Sequence, residues 1–119
     1  MRSVNNMSSL KGKKCFPCED GNKDHLLSKE EIGELLAEVK DWKLDHGGKS
    51  ISKEFKFADF VKAVSFVNQV ADVAEEEGHH PDISINYDKV LLTLTTHSVG
   101  GLTQNDFIVA SRTDNLWLI

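Results

Sequence analysis

His79 and His80 are adjacent, His97 lies further along, and acids flank them: Glu75, Glu76 and Glu77 before the pair, Asp106 after His97. Imidazole titrates at about 6.5 in the absence of perturbation, so a histidine can give or take a proton at neutral pH. Carboxylates nearby suit it to donate, and general acid/base catalysis is the chemistry such a set would perform. Three histidines plus water also make a catalytic zinc set, but adjacent histidines seldom reach one ion. Nucleophilic serine chemistry has no G-x-S-x-G stretch to support it, and Gly100-Gly101 sits in no phosphate-loop pattern. Structural readings exist for each residue as well. A lone histidine is commonly a surface group, Asp106 can be the N3 acid of a capping box, and Glu75 to Glu77 can be a solvated helix end. Three acids in a last turn nevertheless oppose the helix dipole, at a few tenths of a kcal/mol or more, with no compensating gain visible in the sequence.

The elements that must position these groups follow from capping and periodicity. Ser28-Lys29-Glu30-Glu31 is a capping box, and Ile32, Leu35, Leu36 and Val39 recur at helical spacing to near Asp41. Trp42 and Leu44, then Ile51, Lys53, Phe55 and Phe57, alternate across a Gly47-Gly48 turn and predict a hairpin. Asp59 predicts an N-cap, Phe60, Val64, Val67, Ala71 and Ala74 the buried stripe of a long helix, and Gly78 its stop. Ile83, Ile85 and Tyr87, then Val90, Leu92 and Leu94, predict a second hairpin, and Thr103-Gln104-Asn105-Asp106 opens a last helix. The fold class is α+β: a four-stranded antiparallel sheet with three helices on one face, in the order α-β-β-α-β-β-α.

A two-residue turn at Asp88-Lys89 places Tyr87 opposite Val90, Ile83 opposite Leu94 and, continuing the ladder, His80 opposite His97. Ile83, Ile85 and Tyr87 then share the core face, and His80 and His97 fall on the other one, with Ser84, Thr93 and Thr95. Pro81 holds His80 extended but cannot donate to a ladder.

The chain has 119 residues, enough for one domain with a real core, and its 39% hydrophobic and 28% charged content excludes collagen-like, disulfide-dense and wholly disordered classes. Residues 1–25 read as a flexible basic extension and 26–119 as the folded domain. Residues 1–18 carry Arg2, Lys11, Lys13 and Lys14 and no acid, so the remainder carries −9 against a whole-chain charge of −5. So acidic a body is repelled by phosphate backbones, and direct nucleic-acid binding is not expected. Cys15 and Cys18 in a CFPC element could be a redox pair, half a zinc site, or two reduced thiols in a mobile arm. No apolar run is long enough to cross a bilayer or to serve as a signal peptide. The expectation is a soluble cytoplasmic protein without membrane association. The basic Ser/Asn-rich start also resembles the end of a transit peptide, which makes mitochondrion or plastid the alternative.

The stretch EEEGHHPDISINYDKVLLTLTTHSVGGLTQNDFIVA, residues 75–110, resembles the signature region of pterin-4a-carbinolamine dehydratases. Glu75 ahead of the GHHPD run, T-T-H at 95–97, G-L-T-x-x-D ending at Asp106, and Trp42 in the first hairpin carry the likeness, which extends over residues 26–119. Val99 and Gly100 fall at a variable spot that touches no catalytic position. The resemblance implies the same α-β-β-α-β-β-α fold, association into homodimers or homotetramers, and dehydration of 4a-hydroxytetrahydropterin to quinonoid dihydropterin, as in tetrahydrobiopterin recycling. It implies no metal and no cofactor, pterin being the substrate. Carried over, His79 is the principal acid, His97 a second acid or base, and His80 the residue that orients the pterin. Glu75, Asp106, Trp42, Pro81 and Thr96 bind substrate or support the site. The resemblance also implies an alternative class, a non-catalytic protein-binding module that serves transcription-factor dimerisation or enzyme assembly.

Overall fold

The computed structural model describes residues 25–117, so the CFPC element and most of the basic extension lie outside the described residues. Helix α1 (Lys29–Leu36) starts at the expected capping box: the Ser28 hydroxyl accepts from Glu31 N at 3.1 Å and Glu31 Oε1 accepts from Ser28 N at 2.8 Å. Regular helix stops short of Asp41, because the next backbone groups find other partners. Glu38 N and Val39 N turn to carbonyls three residues back, Lys40 N donates to Asp114 Oδ2, and Asp41 takes a left-handed conformation.

Strands β1 (Lys43–Leu44), β2 (Ile51–Lys56), β3 (Asp82–Asn86) and β4 (Lys89–Leu94) form one antiparallel sheet in the order β1-β2-β4-β3. Helices α2 (Phe60–Glu77) and α3 (Gln104–Trp117) complete the expected α-β-β-α-β-β-α order. Ile51, Phe55, Val90, Leu92 and Leu94 point into a core shared with Ile32, Phe66, Val70, Phe107 and Ile108, while Glu54, Lys56 and Leu91 face outward. That alternation commits one face of the sheet to the helices.

Two further details of the fold differ from the sequence reading. On α2 the buried stripe is Ala63, Phe66, Val70, Val73, Ala74 and Glu77; Phe60 is half exposed and Ala71 exposed. Apolar residues occupy more than one stripe of this helix, so periodicity cannot choose between them. The choice is made by Phe66, whose ring packs 4.8 Å from that of Phe55 and 5.0 Å from that of Phe57. In the second hairpin Asn86 opposes Lys89 and Ile83 opposes Leu92, so the turn is Tyr87-Asp88, with Tyr87 left-handed and exposed rather than on the core face. Strand β2 imposes this register: Phe55 pairs with Val90, Phe57 N donates to Asp88 O at 2.8 Å, and Lys56 Nζ reaches Asp88 Oδ2. The slip is of two residues, so Ile83 and Ile85 keep their face. They nevertheless stay exposed, on a strand that lies at the edge of the sheet.

Candidate active site

The chemistry-bearing residues meet where α2 ends and α3 begins. Gly78 ends α2 in the left-handed conformation that glycine adopts at little cost, and its N–H returns to Ala74 O. The chain then leaves as His79, His80 and Pro81 before β3 starts at Asp82, a position where the missing N–H of proline is tolerated. His80 and His97 are therefore not a cross-strand pair, since β3 begins after the one and β4 ends before the other. His97 instead opens a short 3-10 turn, His97–Val99, within a tight loop. Thr96 N donates to Gly101 O at 2.9 Å and Gly100 N to Thr96 O at 3.0 Å, with Gly100 left-handed. At Gly101 a Cβ would stand 2.9 Å from the tip of the exposed Leu26 side chain, which would have to move aside.

Asp106 joins the two stretches. It is fully buried in the first turn of α3, and its Oδ1 lies 2.6 Å from His79 Nε2. Its Oδ2 accepts from Thr103 N at 2.9 Å and from the Thr96 hydroxyl at 2.8 Å. Thr103 Oγ1 in turn accepts from Asn105 N, a residue earlier than the Asp106 N of a full capping box, so the T-x-x-D spacing delivers the acid's half of that box and a shifted hydroxyl cap. A carboxylate offers only acceptors, so the proton in the His79 contact sits on Nε2 and leaves Nδ1 as the nitrogen open to chemistry. His79 is largely buried, whereas His97, next in sequence to Thr96, is exposed.

The three acids ending α2 each have a cationic or imidazole partner, which the sequence did not reveal. Glu75 Oε2 lies 2.7 Å from His80 Nε2, an exposed pair. Arg112 on α3 donates from one guanidinium nitrogen to Glu76 and from the other to the buried Glu77, both at 2.8 Å. Those two bonds hold the guanidinium above its ordinary pKa and fasten α2 to α3 just before the histidine pair. Trp42 does not join the hydrogen-bonded cluster. It is buried with its ring against Phe55, and its indole N–H donates at 3.0 Å to Asp114, further along α3, which also receives the buried Lys53 ammonium at 2.8 Å. Of the expected residues, the structure gathers His79, Thr96 and Asp106 on one carboxylate and sets the His80–Glu75 pair beside them. Thr103, Arg112 and Asp114 are additions. Thr103 is detectable in sequence as a cap; Arg112 and Asp114 give no local signal. Among the described residues no three His, Cys, Asp or Glu side chains are grouped as a metal site requires.

The profile of the family described as pterin 4 alpha carbinolamine dehydratase matches residues 25–116. The chain belongs to that family. A Xanthomonas axonopodis pv. citri protein, provisionally named a pterin-4-alpha-carbinolamine dehydratase, is 41% identical over 103 residues, covering 87% of this chain and 86% of its own. A Stenotrophomonas maltophilia protein of the same provisional name is 40% identical, with 87% of each chain covered. Among solved structures, a transcriptional coactivator/pterin dehydratase from Brucella melitensis superposes with a TM-score of 0.74 at 35% identity, covering 76% of this chain and 97% of its own. A pterin dehydratase-like protein described as a RuBisCO assembly factor of the alpha-carboxysome superposes at 0.57 with 25% identity, covering 66% of this chain and 90% of its own. The chain is thus similar both to proteins described as dehydratases and to one described as an assembly factor. Every residue of the Asp106 cluster falls inside the matched range. No helix among the described residues is long and apolar enough to cross a membrane.

Proposed function

We propose that this protein dehydrates a 4a-hydroxytetrahydropterin to the quinonoid dihydropterin and water, with His79 as principal acid. Hydroxide is a poor leaving group, so the 4a oxygen must be protonated as its bond to C4a breaks. The N5 lone pair closes the C4a–N5 double bond, the N5 proton is given up, and one water leaves with no change in electron count. As the imidazolium, with Nε2–H held by a buried carboxylate, the ring can deliver its Nδ1 proton to the 4a oxygen and recover one there from N5, and general acid–base help of this kind is typically worth about 10²–10⁴-fold. His97, presented by the rigid loop after β4, serves as second acid or base. His80, steadied by Glu75, orients the pterin, and Thr96 and Pro81 hold the two histidine stretches in place. Trp42 supports the site from the core, through Asp114 and α3.

The observation that carries this reading is the 2.6 Å contact between His79 and the buried Asp106, inside the range that matches the family. The test is stopped-flow dehydration of freshly generated carbinolamine. His79→Ala is expected to slow turnover at least about tenfold with an unchanged circular dichroism spectrum. Full retained rate removes His79 from the mechanism.

One feature favours a second reading, protein binding. Phe60 and Val61 are 50% and 74% exposed and, with Val64, Ser65 and Asn68, line a shallow groove on α2 away from the histidines. Such a surface suits self-association into a dimer or tetramer, or a protein partner, as the coactivator and assembly-factor descriptions of the two structural relatives suggest. Stopped-flow dehydration and the mass of the assembly in solution, measured on the same variants, separate the readings. A binding module tolerates His79→Ala and loses its function with Phe60→Ser and Val61→Ser, whereas a dehydratase responds the other way.

A further inference from the structure

We infer that Thr103 is a positioning residue for His79, acting through Thr96 and Asp106. This rests on the reading that His79 carries the proton. One buried chain of hydroxyls and carboxylate has just enough protons to fix every bond direction. Thr96 Oγ1 lies 2.8 Å from Asp106 Oδ2 and 2.9 Å from Thr103 Oγ1, and both threonines are buried. A hydroxyl has one proton. Thr96 must give its proton to the carboxylate, which has none to offer, so in its contact with Thr103 it accepts and Thr103 donates. Thr103 Oγ1 meanwhile accepts from Asn105 N at 3.2 Å, using an acceptor site and leaving its proton free for Thr96. The direction is thus fixed throughout: Thr103 to Thr96, Thr96 to Asp106, with His79 donating to the other carboxylate oxygen.

The consequence concerns the tautomer of His79. With Thr103 N and the Thr96 hydroxyl both donating to Oδ2, the carboxylate is locked in rotation and Oδ1 is aimed at His79 Nε2. If Thr103 lacks its hydroxyl, Thr96 still donates to Oδ2 but loses the donor that fixes its rotor, so its hold on the carboxylate loosens and Thr103 N is left as the firmly placed donor to Oδ2. The ring of His79 is then freer to turn or to hold its single proton on Nδ1, so that Nε2–H is no longer kept on Asp106 while Nδ1 takes up and delivers the catalytic proton. A helix cap alone would not have this effect, because capping uses Thr103 only as an acceptor.

The test uses the full-length protein with ¹⁵N-labelled histidine and long-range proton–nitrogen correlation at a pH where His79 is neutral. Wild type and Thr103→Ser are expected to show His79 protonated on Nε2 alone. Thr103→Val, and Thr96→Val, which leaves the α3 cap intact, are expected to show a mixture with Nδ1–H. Turnover of the carbinolamine should fall about tenfold in both valine variants, with KM within about twofold, and Thr103→Ser should restore it. A pure Nε2–H signal in the valine variants, with only a lower Tm for Thr103→Val, makes Thr103 a cap and overturns the inference. A shifted tautomer with undiminished turnover upholds the positioning and overturns the acid role given to His79.

Discussion

Replacing Asp106 by asparagine keeps the volume of a fully buried side chain and changes only its hydrogen-bonding stock. The carboxylate accepts from three groups, His79 Nε2, Thr96 Oγ1 and Thr103 N, whereas an amide has one acceptor oxygen and two donor hydrogens. The better arrangement turns the amide oxygen toward Thr96 and Thr103, because that side carries two donors and the α3 cap. The NH₂ group then meets His79 Nε2, which must become an acceptor, and the ring proton moves to Nδ1. Stability loses one charge-assisted contact and part of another. At roughly 1.5–3 kcal/mol for each hydrogen bond to a charged group, offset by the amide bond that replaces it, the net cost is about 1–2 kcal/mol. Turnover loses more, since the acid form of the ring carries a proton on both nitrogens, and an amide N–H facing Nε2 opposes the second one. The expected fall is about 10²-fold in kcat, within the range that one acid–base group contributes, with KM little changed. Stopped-flow dehydration and urea unfolding of the same preparation measure the two effects separately. A kcat within about twofold of wild type, at the destabilisation stated, would refute the claim that Asp106 sets the working state of His79.

Other outcomes follow from the packing around the site. Asp114→Ala takes a carboxylate from the buried Lys53 ammonium and the Trp42 indole, and should cost about 3–5 kcal/mol, seen as a lower urea midpoint at constant m. Arg112→Leu should cost about 2–3 kcal/mol because it removes the guanidinium from a buried Glu77. Glu76→Ala, at the exposed arm of the same fork, should cost under about 0.5 kcal/mol, and the reverse order would contradict the assignment. Asp45, hydrogen-bonded chiefly by Lys49 N, and Asp88, bonded chiefly by Lys56, both titrate below the ordinary aspartate value. Groups lowered on folding stabilise above their unfolded pKa and lose that contribution as pH falls through the folded one. Wild type should therefore lose stability more steeply below about pH 4 than the Asp45→Asn/Asp88→Asn double variant, and parallel curves would show that neither bond matters.

Read by itself, the sequence determined what is local. The Ser28–Glu31 box, the Asp59 cap, the Gly78 stop and the Thr103–Asp106 cap each depend on groups within a few residues, and each stands where spacing placed it. Alternation in Ile51 to Phe55 and Val90 to Leu94 likewise fixed which face of the sheet is buried, since a strand's period admits no other choice. The histidines and Asp106 could be picked out by type and by family likeness. Tertiary structure alone decided how they are joined. The register of the second hairpin came from β2 through Phe57 N and Lys56, not from the turn residues, and the buried stripe of α2 came from Phe66 against Phe55 and Phe57. Arg112 and Asp114 give no signal in sequence because their partners, Glu76 and Glu77 on α2 and Lys53 and Trp42 around the first hairpin, lie far away along the chain. Capping and alternation are short-range and can be read from neighbouring residues. A buried carboxylate that serves a helix start, a loop after β4 and a histidine after α2 exists only once those three segments have packed together.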